Sequence, residues 1–306
     1  MTLEKRRLRL AAGEVALADE GDGPAVLLLH GFPTSSHLWR NLVPLLAPRF
    51  RTVAPDLLGY GDSEKPEDPE RLTIRSQAAM VRDLLRELKV DEEVAIVGHD
   101  IGGGVAQLLA LEGGVRTMAL LDSICFDSWP IDGVRQIQEA NPEQVDEDFV
   151  RTLIQLTFDI GMSHPERLAD EDREEFARPW LAEPVALIRA ARGIDGVGLL
   201  DTEARLGALD ARALIVWGED DPFQPAGLAE RLGDALPGAT VSLLPGCSHY
   251  VGEDASETVL PLIGEYLRVH HLQETHPHHA GLTAVDLGVS FEKPDRPSQP
   301  EGFEDL

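Results

Sequence analysis

One segment constrains the fold of this chain more than any other. Glu93-Val94-Ala95-Ile96-Val97 reads as a buried strand, and residues 103–111 read as a helix. Between them stands Gly98-His99-Asp100-Ile101-Gly102. A strand that passes into a helix through one tight turn needs small residues around its apex, because the strained backbone tolerates little bulk. The apex side chain is then held proud of the sheet. Here that side chain is the carboxylate of Asp100.

The same alternation recurs along the chain. Ala25-Val26-Leu27-Leu28-Leu29 is a continuous apolar run, as a strand buried on both faces requires. Residues 51–55, 94–97, 118–121, 213–217 and 240–244 are further strands, and residues 5–12 and 14–18 are an opening pair. Helical patterns lie between them at 38–46, 74–88, 103–111, 226–236 and 257–269. This order predicts an α/β fold, a mostly parallel sheet with helices on both faces.

The alternation stops between Ser123 and about Leu206. That stretch holds no convincing strand, but has amphipathic helical pieces such as 146–158 and 183–192. It reads as a helical insertion. The expected division is a core of residues 1–122 and 207–270, a helical cap of 123–206, and a tail of 271–306 rich in Pro, Gly, His and acids.

Composition excludes several function classes. The formal net charge of −27 disfavours binding to nucleic acid or anionic membranes, which need basic patches. Cys125 and Cys247 are too few for a disulfide framework, the first ten residues lack an apolar signal region, and no apolar run is long enough to span a bilayer. A cytoplasmic location is therefore expected. Five histidines crowd near the end: His270, His271, His276, His278 and His279. Their spacing fits no standard ligand frame, so they read as solvated tail and no metal is expected. No glycine-rich phosphate loop stands between a strand and a helix, and no cofactor is expected.

Four more segments accompany the Asp100 turn in a set order. His30-Gly31-Phe32-Pro33 follows the first buried strand, and Asp56-Leu57-Leu58-Gly59-Tyr60-Gly61-Asp62-Ser63 follows the next. Trp217-Gly218-Glu219-Asp220-Asp221-Pro222-Phe223-Gln224-Pro225 and Gly246-Cys247-Ser248-His249 close the set. Together they resemble the α/β-hydrolase superfamily across all but the tail. A carboxylate at the turn, where most members carry serine, resembles the branch of haloalkane dehalogenases, haloacid dehalogenases and epoxide hydrolases.

The resemblance implies an eight-stranded, mostly parallel sheet with a helical cap inserted after the sixth strand. It implies Asp100 as nucleophile, Asp221 as the acid of the triad and His249 as general base, in that chain order. Asp122 is a rival acid, because some dehalogenases carry theirs at the end of that strand. An oxyanion hole would come from the backbone N–H groups of Phe32 and Ile101. His30 and His99 read as structural.

The carboxylate changes the chemistry. A free aspartate titrates near about 4 and is ionised at neutral pH without help from a base. It can attack a saturated carbon and form an alkyl ester with the enzyme. His249 then acts in the second step, activating the water that attacks the Asp100 carbonyl carbon.

The leaving group stays open between halide and epoxide oxygen. Dehalogenases typically supply N–H donors from a Trp after the nucleophile and an Asn after the H-G pair. Ile101 and Phe32 stand there instead. Trp129 and Trp180 of the insertion are the remaining indole donors, with packing as their other reading. Epoxide hydrolases usually supply tyrosines from the cap, but Tyr60, Tyr250 and Tyr266 all lie outside it. Tyr250, beside His249, is the available substitute. No arginine follows Asp100 to hold a small haloacid, so Arg189 or Arg192 would have to serve. Phe126, Trp129, Ile131, Phe149, Phe158 and Trp180 are candidates to line the cap.

The reading is a cofactor-free, haloalkane dehalogenase-like hydrolase of a small apolar organic substrate, as a monomer or homodimer. An epoxide hydrolase and a non-catalytic ligand-binding protein of the same fold are the alternatives.

Overall fold

The computed structural model of the chain describes residues 2–90 and 93–272. Eight strands form one sheet: β1 (Arg6–Leu10), β2 (Gly13–Glu20), β3 (Ala25–Leu29), β4 (Arg51–Pro55), β5 (Val94–His99), β6 (Val115–Leu121), β7 (Arg212–Gly218) and β8 (Thr240–Leu244). Their spatial order is β1-β2-β4-β3-β5-β6-β7-β8. β1 pairs with β2 and β2 with β4 antiparallel, and all later pairings are parallel. The mostly parallel sheet expected from the sequence is present.

The apolar run of β3 feeds two cores. Side chains of a strand alternate between faces, so Leu27 and Leu29 point one way and Val26 and Leu28 the other. Leu27 and Leu29 pack with Ile74, Val81 and Val105, while Val26 and Leu28 pack with Trp39, Ile263 and Leu267. A strand covered on both faces has no polar side to show, which is why its run is unbroken.

The helices in chain order are α1 (Val43–Leu46), α2 (Ile74–Glu87), α3 (Ile101–Glu112), α4 (Asp132–Glu139), α5 (Glu147–Gly161), α6 (Asp170–Leu181), α7 (Val185–Gly193), α8 (Glu203–Leu206), α9 (Gly227–Ala235), α10 (Val251–Asp254) and α11 (Ser256–Leu267). The helix expected over 38–46 is broken. A 3-10 turn, Ser36–Trp39, precedes the four-residue α1. Pro44 lies in the first turn of α1. There its missing N–H is harmless, whereas in mid-helix its ring would clash with the carbonyl of Arg40.

Helix α3 begins at Ile101, two residues before the expected start. Its glycines are there for close approach rather than for backbone freedom. A Cβ on Gly102 would lie 2.2 Å from the Leu29 carbonyl oxygen, and one on Gly103 would lie 2.1 Å from the Ser123 hydroxyl oxygen.

Helices α4 to α8 fall between β6 and β7, and that stretch contains no strand among the described residues. Helix α6 is fixed over the loops after β3 and β4. Asp172 pairs with His37 at 2.7 Å and with Arg40 at 2.9 Å, and Arg178 pairs with Asp62 at 2.8 Å. At the other end of the chain, His271 belongs to the fold and not to a solvated tail. It is buried, its Nε2 lies 3.0 Å from the Ala25 carbonyl, and its ring stacks on Phe50. The rest of the expected tail, residues 273–306, lies outside the described residues.

Candidate active site

Asp100 sits at the apex between β5 and α3 with φ 51° and ψ −119°. An L-residue adopts a positive φ rarely and at some cost in strain. The turn is fixed on both sides. The Asp100 N–H donates to Leu121 O at 3.2 Å, and its carbonyl accepts from Gly103 at 3.0 Å and from Ile124 at 3.2 Å.

The side chain turns toward the loop after β3. Its Oδ2 accepts from the Phe32 N–H at 2.9 Å. Gly31 makes that approach possible, since a Cβ there would lie 2.6 Å from the Asp100 Cβ. Thr34 closes the loop, with its N–H and Oγ1 both donating to Gly31 O. His30 anchors the loop from below. Its Nε2 accepts from the Leu57 N–H at 3.0 Å, so its Nδ1–H donates to Gly31 O, also at 3.0 Å. One neutral tautomer satisfies both bonds, and burial pushes the ring down to about 4. His30 is structural.

Burial pushes the Asp100 carboxyl up to about 6. The charge of His249 and the N–H groups of Phe32 and Ile101 pull the other way. Its second oxygen, Oδ1, is buried and has no hydrogen-bond partner among the described residues.

His249 follows β8, and its Nδ1 lies 2.9 Å from Asp221 Oδ2. Asp221 is oriented in turn by the N–H groups of Phe223 at 2.8 Å and Gln224 at 2.9 Å on its Oδ1. Burial alone would lower the imidazole pKa, but the charge and hydrogen bond of Asp221, with the charge of Asp100, hold it above the usual range. Beside it His99, forced neutral by burial, places its Nε2 3.0 Å from the His249 carbonyl.

Asp122 is close by but makes other contacts. Its Oδ1 accepts from the Gly218 N–H at 2.9 Å. Burial, then the charge of Asp221, holds its carboxyl well above the usual carboxylate range. The acid that meets His249 in this structure is Asp221.

The two tryptophans part company. Trp180 is buried with its Nε1–H donating to Pro33 O at 2.8 Å. That bond takes the donor the sequence offered to a leaving group, so Trp180 props the loop of Phe32 instead. Trp129 is also buried, and its Nε1 has no partner among the described residues.

Sequence reasoning passed over Tyr60. It is fully buried, its ring lies edge-on to Phe32 at 6.4 Å and to Trp180 at 5.6 Å, and its hydroxyl has no partner among the described residues. The available signal was its place in the segment after β4, because β4 is a neighbour of β3 and ends at the same edge. Tyr250, whose ring lies edge-on to His249 at 5.0 Å, also has an unpartnered hydroxyl.

A cleft of about 820 Å³ opens between the insertion and the segment after β7, lined by Ile131, Gln136, Ile160, Phe223 and Leu228 among others. The Phe223 ring stands edge-on to His249 at 5.1 Å, so one wall of the cleft reaches the site. Of the residues expected to line a cap, Ile131 borders this cleft, while Phe158 packs on Tyr250 and Phe176.

A family profile for the alpha/beta hydrolase fold matches residues 24–256. The chain belongs to the α/β-hydrolase family. This α/β-hydrolase is 29% identical over 275 residues to haloalkane dehalogenase 2 of Mycobacterium tuberculosis, covering 86% of this chain and 94% of the relative. It is 31% identical over 264 residues to a soluble epoxide hydrolase of Corynebacterium sp., covering 78% of this chain and 88% of that one. A crystal structure of an α/β-hydrolase fold protein from Burkholderia ambifaria superposes with a TM-score of 0.78 at 27% identity, over 86% of this chain and 97% of that one. The protein is a hydrolase of this fold related to both kinds of enzyme. No helix among the described residues is long and apolar enough to cross a membrane.

Proposed function

We propose that this α/β-hydrolase cleaves a small apolar organic substrate at a saturated carbon, through an alkyl ester formed on Asp100. The observation that carries the reading is the division of labour on one carboxylate. Oδ2 is held by the Phe32 N–H while Oδ1 is free to attack.

In the first step Oδ1 displaces the leaving group and becomes the ester oxygen. Oδ2 becomes the carbonyl oxygen, already seated against the Phe32 amide and within the influence of the Ile101 amide. In the second step neutral His249 takes a proton from water, and the hydroxide attacks the Asp100 carbonyl carbon. Negative charge develops on Oδ2, where the two amides stabilise it. Collapse expels the alkoxide, His249 returns the proton to it, and the new Asp100 carboxyl releases the second proton of the water to solvent, which restores the carboxylate. Asp221 holds the imidazole in the tautomer this needs and balances the imidazolium.

Two leaving groups fit the relatives. For a halide, as in the haloalkane dehalogenase, the Trp129 indole is the remaining unpartnered N–H from the insertion. For an epoxide oxygen, the unpartnered hydroxyls of Tyr60 and Tyr250 favour the second reading. On either reading residues 123–206 act as the cap.

A single turnover in ¹⁸O-water tests the shared step. The proposal requires one label in the peptide that contains Asp100, since water attacks its carbonyl carbon. Label confined to the released product would defeat it.

A further inference from the structure

We propose that Asp254 is a positioning residue for His249. Its carboxylate clasps the backbone just before the base to the end of helix α5 in the insertion, and so controls hydrolysis of the ester but not its formation. The proposal rests on the Asp100 ester reading and deepens its second step.

Asp254 is the last residue of α10 and is 1% exposed. Burying a carboxylate is costly unless its oxygens are hydrogen-bonded. Three backbone N–H groups from two distant parts of the chain supply those bonds. Oδ2 accepts from Ser248 at 2.8 Å and from Ser163 at 3.0 Å, and Oδ1 accepts from His164 at 3.0 Å. Ser248 immediately precedes His249, whereas Ser163 and His164 follow the end of α5, 91 and 90 positions before Asp254. Further bonds close the same joint. The Tyr250 N–H donates to Gly161 O at 3.1 Å, the Asp254 N–H donates to Tyr250 O at 2.9 Å, and the Arg167 guanidinium donates to the Asp254 carbonyl. There is little slack at this joint, since a Cβ on Gly161 would lie 2.9 Å from ring carbons of both Phe223 and Tyr250.

His249 is thereby held at three points. Asp221 Oδ2 holds Nδ1 at 2.9 Å and orients the ring. His99 Nε2, 3.0 Å from the His249 carbonyl, and Asp254, on the N–H of the preceding residue, fix the backbone from which the ring projects. The base must meet a water poised over the Asp100 carbonyl carbon, and misplacement by about 1 Å costs on the order of a hundredfold in rate. Attack by Asp100 on carbon has no such dependence. Its turn is fixed separately by Leu121, Gly103 and Ile124, and the attack needs no base. Loosening Asp254 therefore separates the two steps.

The test is a single turnover of the full chain with 1-bromohexane and with 1,2-epoxyhexane, in which quenched-flow mass spectrometry times the rise and decay of the ester. Asp254→Asn keeps the size of the side chain but sets an NH₂ donor against one of the three N–H groups. The proposal predicts that the ester decays about tenfold to a hundredfold more slowly in this variant and forms within about threefold of the parent rate. Added to His249→Gln, Asp254→Asn should change the residual decay by less than about threefold, because a residue that acts through the base has nothing left to act on. If Asp254→Asn yields no folded protein, Arg167→Ala loosens the same joint from an exposed side chain, and a selective slowing of decay by about threefold or more is expected. Equal slowing of both steps, an unchanged decay, or a full further loss in the His249→Gln background would each overturn the positioning role and leave the ester reading standing. Absence of any ester on the parent and on His249→Gln with both probes would overturn both.

Discussion

The backbone N–H of Phe32 donates to Asp100 Oδ2 at 2.9 Å. The site is therefore built around one oxygen of a carboxylate whose other oxygen is left free. Such preorganisation spares the cost of reorganising dipoles during the reaction.

The rate of ester formation should follow the ionisation of Asp100. Burial raises its carboxyl to about 6, and only the anion attacks. The burst rate of the parent enzyme should rise roughly tenfold per pH unit below about 6 and level off above it. A rate that stays flat from pH 5 to pH 8 would contradict this.

The same burial should cost stability. An acid whose folded pKa lies above its unfolded value loses stability as pH rises from the unfolded to the folded value, here from about 4 to about 6. Asp100→Asn removes the buried charge. It should stabilise the protein by about 2–3 kcal/mol above pH 7 and by almost nothing at pH 3.5. Urea unfolding at both pH values measures the difference, and an equal gain at each would rule the explanation out.

Asp221 and Asp122 should respond differently to the loss of charge. Asp221 bonds His249 Nδ1, whereas Asp122 accepts from Gly218 and its carboxyl is pushed well above the usual range by burial and by Asp221. Asp221→Asn should lower turnover by about 10²- to 10⁴-fold, as expected when a catalytic histidine is left in the wrong tautomer. Asp122→Asn keeps the acceptor for Gly218 and should change turnover by less than about tenfold. Steady-state kinetics of both variants decide the matter, and the reverse ranking would move the acid to Asp122.

Gly102→Ala probes the turn mechanically. Its Cβ would lie 2.2 Å from the Leu29 carbonyl, a backbone atom that cannot rotate away. Overpacking of this kind costs about 1–3 kcal/mol or more, so the variant should melt several degrees lower and lose activity. An unchanged melting temperature would mean that α3 can shift freely off β3.

Much of the sheet was legible in the chain, for a physical reason. β3 is buried on both faces, so its apolar run has no other stable use. The break near Pro44 was less visible, because the apolar spacing of 38–46 masked a residue that starts helices but does not continue them. The fate of Trp180 was not legible at all. Its partner Pro33 is 147 positions away, and only the docking of α6 over the loop after β3 brings them together. Tyr60 was missed likewise, since its nearness to Phe32 depends on β4 pairing with β3. Asp122 and Asp221 remained rivals because they follow adjacent parallel strands, β6 and β7. Which of them reaches His249 is a matter of turn geometry that spacing does not record.

The most direct measurement is the intact mass of the His249→Gln chain after mixing with an alkyl halide or an epoxide. Attack on carbon by Asp100 needs no base, whereas breakdown of the ester does. The account predicts a stable adduct of one alkyl group, mapped to the peptide containing Asp100 and lost when Asp100→Ala is added. Absence of any adduct, together with full turnover by Asp100→Ala, would contradict it.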